Sequence, residues 1–244
     1  MAHDFVPPEV KKQLEQIGAA HVVLGVPRTQ APETARPIVD TVREAVDRLS
    51  PTLKTVVLLP DDGSRHDPTD TADALDSRVA AVVCPLAPIH RFPLITRDAQ
   101  RPLSLLRAVC ANVGARVCAV VGSDSASVSA DTVRLLLQPV LVSDHDLVMP
   151  RYAMQTFDGL INTGIVYPFT RALYGKRVRG QIGVDFGFSS RFLERVAQHG
   201  AGRRPLWFAT DAATSGMRVC QANLGIRLPP SDEHIDLSTA LAQV

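Results

Sequence analysis

Short runs of apolar residues alternate along the chain with longer stretches in which apolar residues recur at helical spacing. The runs rich in β-branched residues are HVVLGV (21–26), TVVLL (55–59), AAVVC (80–84) and RVCAVV (116–121). They do not alternate between apolar and polar positions, which is typical of strands buried on both faces of a parallel sheet. Residues 33–49, 102–113 and 129–137 predict amphipathic helices between them. The pattern therefore predicts successive βαβ units.

The second half of the chain is less regular. Short extended segments are predicted at 139–142 and 146–149, and the region from 151 to 244 has a Gly-rich middle. We interpret this half as an extension of the same sheet. The expected fold class is α/β, with a Rossmann-like, mostly parallel central sheet flanked by helices in a single domain. This domain is expected to span 21–230, with a helical extension at 1–20 and a tail at 231–244.

Composition excludes several partners. The 244 residues include 26 basic and 25 acidic side chains, so a net charge of +1 provides no electrostatic footprint for nucleic acid or an anionic membrane. No window approaches the roughly 20 apolar residues that span a bilayer, and the first residues lack the apolar centre of a secretory signal. We therefore expect a cytoplasmic protein. The four scattered cysteines form no CxxC pair, which predicts buried reduced thiols and no zinc site.

Two predicted strands run directly into acidic loops. Asp61 and Asp62 follow the strand at 55–59, and Asp124 follows the strand at 116–121. Ligands of open α/β sheets bind beyond the carboxyl ends of strands, where carboxylates can hold sugar hydroxyls or a divalent ion against a diphosphate. Asp and Ser are also ordinary turn and helix-cap residues. The pattern alone leaves both interpretations open.

Four segments resemble a known family of enzymes. They are GVPRTQAPET (25–34), DDGSRHDPT (61–69), VVGSDSAS (120–127), and DLVMPRY with DGLINTGIVYPFTRALYGKRVRGQIGVDFGFS (146–189). On these segments the chain resembles the glycosyltransferases that make mannosylglycerate and glucosylglycerate, within the GT-A superfamily, from about residue 21 to 225. The resemblance implies a GT-A-like fold, a nucleotide-diphosphate-sugar donor, and transfer of a hexose to a small hydroxy acid with retained configuration.

The resemblance assigns the donor side of the site to five residues. Pro27 and Glu33 lie in the segment where the nucleotide docks, and Asp62 matches the aspartate that contacts the nucleotide. Arg101, in the QRP that replaces a GKG-like element, would contact the donor phosphates, since a planar guanidinium suits phosphate. Asp124 keeps the second aspartate of the DxD metal motif. A solvated loop charge is the alternative for Arg101.

The resemblance also assigns a sugar-binding aspartate and an acceptor side. Asp185 would bind donor-sugar hydroxyls and orient the reacting carbon, as the catalytic residue. Arg151 and Tyr152 would receive an acceptor carboxylate, because a guanidinium offers it two parallel donors, and Asp158 and Thr163 belong to the acceptor segment. The alternatives are a helix-capping role for Asp185 and an Arg151 stem that lies on the sheet edge.

The metal motif departs from the family pattern. Gly122 replaces the first aspartate of DxD, and Pro229 stands where the third ligand, a histidine, is expected. His234 lies five residues further on and is more typical of a surface residue. Mg²⁺ can bind through one or two carboxylates plus substrate phosphates. With Asp124 alone, we expect weak, substrate-assisted binding of Mg²⁺ or Mn²⁺ in place of a tight site.

The segment YPFTRALYG predicts a helix that serves mainly as scaffold. Its apolar residues follow a core-like pattern, at Ile165, Val166, Phe169, Leu173 and Val178. If this face is buried, the strong match of the segment supports a shared fold more than a shared activity.

Three functions remain open from the sequence. The first is a hexosyltransferase that uses a nucleotide sugar. The second is a catalytically degenerate homologue that binds a nucleotide or sugar, or acts as a partner subunit. The third, a nucleotidyltransferase, has weak support because GVPRTQAPE holds one glycine and one arginine, where a Gly-rich basic loop is needed. A homo-oligomer stays open in each case.

Overall fold

The computed structural model describes residues 6–26, 35–60, 78–84, 100–121, 128–153, 162–175, 177, 185–198 and 208–226. The strands within them are β1 (Val22–Gly25), β2 (Thr55–Pro60), β3 (Val79–Cys84), β4 (Val117–Val120), β5 (Leu147–Ala153), β6 (Phe186–Ser189) and β7 (Val219–Ile226). The helices are α1 (Pro8–Ile17), α2 (Ala35–Leu49), α3 (Gln100–Val113), α4 (Ala130–Ser143), α5 (Tyr167–Tyr174), α6 (Ser190–Gln198) and α7 (Phe208–Thr214), and a π-helical turn (Asn162–Val166) leads into α5.

The seven strands form one sheet in the order β3-β2-β1-β4-β6-β5-β7. Every neighbouring pair is parallel except the two that involve β6, which runs antiparallel to β4 and to β5. The α/β class and the mostly parallel sheet are therefore confirmed. The second half of the chain extends the sheet through β5, β6 and β7, as expected. The strand order reverses between β1 and β4, which is where ligands of such sheets bind.

Helices cover both faces of the sheet. Val22 and Leu24 belong to a core cluster with residues of α2 and α4, whereas Val23 belongs to a second cluster with residues of α1, α3, α6 and α7. The three apolar side chains of β1, Val22, Val23 and Leu24, are fully buried. Because successive side chains of a strand point to opposite faces, the apolar runs without alternation indeed mark strands that are buried on both sides.

Helix α4 is longer than the sequence predicts. It begins after the Ser129 cap, whose hydroxyl accepts from the Thr132 backbone N–H at 3.1 Å, and continues through Pro139 to Ser143. The prediction of an extended segment at 139–142 was wrong. An internal proline costs a helix about 3 kcal/mol, but the buried side chains of Leu136 and Val140 keep the helical stretch packed on the sheet.

Helix α4 and strand β6 touch through backbone at Gly187. A Cβ atom on Gly187 would lie 2.2 Å from the Leu136 carbonyl oxygen. Only glycine allows this separation. On the other face, the rings of Phe186, Phe188, Phe192 and Phe208 pack with centroid separations of 5.5 to 6.5 Å. Packing on the two faces of β6 therefore explains why the residues at 186–188 are Phe, Gly and Phe.

The buried carboxylate of Asp146, at the amino-terminal end of β5, ties this strand to β6, α6 and β7. The Asp146 carboxylate is 1% exposed and accepts from Arg191 Nε at 2.8 Å and Nη2 at 2.6 Å, from Ser189 Oγ at 2.8 Å, and from the Arg218 backbone N–H at 2.9 Å. Burial opposes ionisation, but these hydrogen bonds outweigh it, so the pKa of Asp146 is lowered from its usual value.

We predict that Gly187→Ala destabilises the protein by about 3 kcal/mol, because the new methyl group overlaps a backbone carbonyl that cannot rotate away. Gly164→Ala is the matched control, since a Cβ at Gly164 meets nothing within 4 Å, and its effect should stay within about 0.5 kcal/mol. Urea unfolding measures both. Equal stabilities of the two variants would contradict the close contact.

We also predict a pH-dependent loss of stability for Asp146→Asn. A carboxyl whose pKa is lowered on folding stabilises the protein above its unfolded pKa, about 3.9, and this contribution disappears as pH falls through the lower folded pKa. The variant should therefore lose about 2 to 3 kcal/mol at pH 7, with a gap to wild type that narrows steadily below about pH 4. Asp144→Asn, at an exposed position with φ of 52°, should show neither effect in urea unfolding across pH.

Candidate functional site

The strands that lead into the segments with the family resemblance end at one edge of the sheet. Strands β1, β2, β4, β5 and β7 all end at this edge, because they run in the same direction. Strand β6 runs the other way, so it begins there. The pairing of Val120 with Phe186 places Asp185 beside Val121, at the start of the segment that contains Asp124. The order of the strands thus brings the end of β4 and the start of β6 together.

Asp185 and Tyr152 form the best-defined contact of the site. Asp185 is 7% exposed, and the Tyr152 hydroxyl donates a hydrogen bond to its Oδ2 atom. A buried carboxylate needs such partners to offset the loss of water. The capping alternative for Asp185 fails, because helix α6 is capped by Ser189, whose hydroxyl accepts from the Phe192 backbone N–H at 3.1 Å. Asp185 therefore lies just before a strand, with its carboxylate held by a tyrosine.

A β-bulge lies beside Tyr152. Arg151 pairs with Asn223, but Tyr152 pairs with Gly225, so Leu224 is an extra residue in β7. Gly225 has a φ of 75°, which favours glycine. Bulges re-aim side chains at the ends of strands. Arg151 is exposed, while Tyr152 is half-buried against Asp185, so these two neighbours have different surroundings. The sequence signal for this feature is Gly225, a glycine within strand β7.

The structure does not place every predicted donor residue. Arg101 lies in the first turn of α3, which starts two residues earlier than predicted, and its side chain is not described. Helix α3 leads into the amino-terminal end of β4, so its last turn lies at that edge of the sheet. Its first turn therefore lies at the other edge, where the parallel strands end. Outside the described residues are Pro27, Glu33, Asp62, Asp124 and Asp158, together with Gly122, Pro229 and His234.

Strands that lead to the predicted carboxylates have a fixed separation. The order β2-β1-β4-β6 puts the end of β2, which precedes Asp62, three strand spacings from Asp185. At about 4.8 Å per spacing, this is roughly 14 Å. This is the separation of the two strand ends, because Asp62 itself lies outside the described residues.

The segment after β5 differs from the core-like interpretation. Thr163 is exposed in the π-helical turn, and Ile165, Phe169 and Leu173 are exposed as well. The prediction that these three belong to the core was wrong. Of residues 163–174, only Val166 and Thr170 are buried, and α5 contacts α7. Val178 lies outside the described residues.

The cysteines in the part of the chain that the structure describes are not suited to thiol chemistry. Cys84, Cys110 and Cys118 are buried free thiols, as predicted, and Cys220 is half-buried. Burial raises the pKa of the Cys84 thiol to about 11, which leaves it un-ionised and unreactive at neutral pH. The described residues hold no group of three potential metal ligands. A helix that could cross a membrane is also absent from these residues.

Comparison with known proteins places the fold. No protein-family model matches the sequence, and no curated protein matches it. Solved structures do match. Glucosyl-3-phosphoglycerate synthase from Mycobacterium tuberculosis in complex with uridine diphosphate (UDP) has a TM-score of 0.55 at 18% identity, with 98% of this chain and 84% of that chain covered.

Two further complexes of that enzyme match at the same coverage of 98% and 84%. One holds Mn²⁺, UDP-glucose and phosphoglyceric acid and has a TM-score of 0.52 at 19% identity. The other holds Mg²⁺ and UDP and has a TM-score of 0.51 at 19% identity. The chain therefore has the fold of the GT-A glycosyltransferases over nearly its whole length, which confirms the fold expected from the sequence segments.

Proposed function

We propose that the chain is a glycosyltransferase that moves a hexose from a nucleotide-diphosphate sugar to a small hydroxy-acid acceptor, with retained configuration. The observation that carries this proposal is the Asp185–Tyr152 pair at the carboxyl edge of a GT-A sheet. The structurally similar enzyme holds UDP-glucose and phosphoglyceric acid, a donor and an acceptor of the proposed classes. In the reaction, the bond from the anomeric carbon to the diphosphate oxygen breaks, the acceptor hydroxyl oxygen bonds to that carbon, and the hydroxyl proton passes to the departing nucleoside diphosphate.

The donor would lie across the ends of β2, β1, β4 and β6. In this proposal Pro27, Glu33 and Asp62 hold the nucleotide, and Arg101 contacts the diphosphate. These roles follow from the resemblance of their segments and from the edge at which β1, β2 and α3 present them. Helix α3 points its amino terminus to this edge, where its dipole favours negative charge.

The sugar and the acceptor would meet between β6 and β5. Asp185 accepts hydrogen bonds from donor-sugar hydroxyls, and Tyr152 fixes the orientation of its carboxylate. The exposed guanidinium of Arg151 is available to the acceptor carboxylate, and Asp158 and Thr163 complete the acceptor side. We infer that the position of Tyr152, set by the bulge in β7, is what keeps Asp185 ready for the sugar.

The residues present fit a divalent ion only poorly. Gly122 removes one carboxylate of the DxD pattern, and Asp124 remains as the single proposed ligand. The described part of the chain supplies no cluster that could replace the missing ligands. We therefore propose weak Mg²⁺ or Mn²⁺ binding that depends on the substrate phosphates, and we assign no step of the reaction to the ion.

The same substitutions favour a second candidate, a degenerate homologue that binds a nucleotide or sugar without turnover, or acts as a partner subunit. Its basis is the coincidence of Gly122 and Pro229 at two positions where the family has metal ligands. Binding and turnover separate the two candidates, because the first requires both and the second requires only binding.

We predict that UDP or GDP binds, and that Mn²⁺ raises the affinity by less than about ten-fold, because one carboxylate supplies little of the ion's coordination. Calorimetric titration with each nucleotide, with and without Mn²⁺, measures this. Gly122→Asp should increase the effect of Mn²⁺. Nucleotide release from a panel of UDP- and GDP-sugars with hydroxy-acid acceptors then tests turnover. If no donor binds and none is turned over, the proposal is overturned. Binding without turnover would favour the degenerate homologue.

A second prediction concerns the Asp185–Tyr152 pair. Asp185→Asn should lower kcat by about 100-fold or more, since a preorganised charge at the reacting sugar is lost. Tyr152→Phe should lower kcat by about ten-fold with the KM of the nucleotide sugar little changed, because one hydrogen bond of roughly 1.4 kcal/mol is removed. Tyr174→Phe, which removes a hydroxyl from helix α5, is the matched control and should match wild type. Full activity of Tyr152→Phe would show that the hydroxyl does not position Asp185.

A further inference from the structure

Helix α5 is preceded by a widened turn. Residues Asn162–Val166 form a π-helical turn, in which an amide bonds to the carbonyl five residues earlier, and α5 continues from Tyr167 as an ordinary α-helix. Such turns are rare, occur mostly as single turns within α-helices, and are frequent at functional sites. Thr163, which the resemblance assigns to the acceptor, lies within this turn. The cause of the turn therefore bears on the acceptor side of the proposed site.

Pro168 explains why the turn is wide. It is the second residue of α5. In an uninterrupted α-helix the amide of residue 168 would bond to the carbonyl of Gly164, but proline has no N–H to donate. The proline ring also clashes with the carbonyl four residues earlier. A wider turn moves this carbonyl away from the ring, at the position where the α-helical hydrogen bond is already missing.

A second proline of the chain shows what else is needed. Pro139 lies inside α4, which stays α-helical throughout. The neighbouring side chains of Leu136 and Val140 are buried, so this stretch cannot move away from the sheet. Residues 163–165, which precede Pro168, are exposed. A proline therefore widens the helix where the preceding residues are free to shift, and leaves it α-helical where they are packed.

The helix that follows the turn is fixed. Val166 and Thr170 are buried, and the Thr170 hydroxyl donates to the Val166 carbonyl at 2.7 Å. At the other end of α5, the N–H of Gly175 donates to the Arg171 carbonyl at 3.0 Å. Helix α5 also contacts α7. A change in the width of the turn must therefore move the residues before it and leave α5 in place.

We propose that Pro168 is a positioning residue for the acceptor, because it holds the π-helical turn open and so directs Thr163 to the hydroxy acid. A π-helical turn contains one residue more than an α-helical turn, and one residue of an α-helix corresponds to about 100° of rotation. Closure of the turn would therefore rotate Thr163 by about 100° around the helix axis. This inference rests on the proposed function, since it uses the acceptor role of Thr163.

The position and charge of the turn suit an anionic acceptor. Strand β5, which carries Arg151, ends at the candidate site, and the connection that contains the turn returns there at Asp185. Residues 162–177 contain no acidic side chain that would repel a carboxylate. A threonine hydroxyl can donate to a carboxylate or accept from a hydroxyl. Thr163 can therefore bind either end of a small hydroxy acid.

The geometry of the turn can be tested without a substrate. In Pro168→Ala the turn should close, so that the new N–H at position 168 bonds to the Gly164 carbonyl and is protected from hydrogen exchange. A crystal structure of this variant should show Thr163 rotated by about 100°. Pro139→Ala, which also removes a proline from a helix, is the matched control and should leave residues 162–166 unchanged. A π-helical turn that persists in Pro168→Ala would overturn the proposal.

A double-mutant cycle of Pro168→Ala with Thr163→Val tests the role of the turn. Each single variant should raise the KM of the hydroxy acid by about ten-fold, the effect of one lost hydrogen bond, with the KM of the nucleotide sugar unchanged. The double variant should be no worse than either single variant, because both changes remove the same contact. Pro139→Ala should match wild type in both constants. Effects that multiply in the double variant, or an unchanged KM in either single variant, would overturn the proposal.

Failure of the proposed function would give a different result. If no donor is turned over, the same cycle is measured by calorimetric titration of the UDP-bound protein with phosphoglyceric acid, which the structurally similar enzyme holds. Non-additive effects on Kd without turnover would overturn the transferase and support the role of Pro168. Turnover with effects that multiply would overturn the role of Pro168 alone. Neither turnover nor binding of phosphoglyceric acid would overturn both.

Discussion

The reversed direction of β6 is the constraint on which the candidate site depends. Because β6 is antiparallel to its neighbours, its first residue lies at the edge where the parallel strands end, and Asp185 comes directly before it. A parallel strand in the same place would carry Asp185 to the far edge. The direction is secured on both faces of the strand, by the backbone contact between Gly187 and α4 and by the phenylalanine cluster with α6 and α7. The position of the carboxylate is thus a result of packing.

The pair of Asp185 and Tyr152 joins two parts of the sequence that the resemblance assigned to different substrates. Asp185 was given to the donor sugar and Tyr152 to the acceptor, yet the tyrosine hydroxyl bonds the carboxylate. In a transfer between two substrates, the groups that hold them must meet at the bond that is exchanged. A contact between the donor and acceptor sides is therefore compatible with the proposed reaction, which we place at the junction of β5 and β6.

Much of the fold could be predicted from the sequence, because buried parallel strands appear in it as unbroken apolar runs. The limits are equally physical. The sequence predicts an extended segment at 139–142, but Leu136 and Val140 pack well enough to keep the helix intact through Pro139. Ile165, Phe169 and Leu173 follow helical spacing, which marks an apolar face without showing whether it is covered. At the site, Asp185 could be identified from its segment, whereas its bond to Tyr152 depends on a bulge created by one extra residue, Leu224, at a distant position in the chain.

The ion pair of Asp146 with Arg191 lies at the amino-terminal end of β5, away from the edge where the site lies. Together with the aromatic cluster, it stabilises this half of the molecule through side chains that are not proposed to contact a substrate. Substrate-contacting positions can then drift in evolution with little penalty to folding. Exchange of residues at the proposed donor positions would then leave these packing contacts in place, so that the shape of the molecule and its chemistry can vary independently.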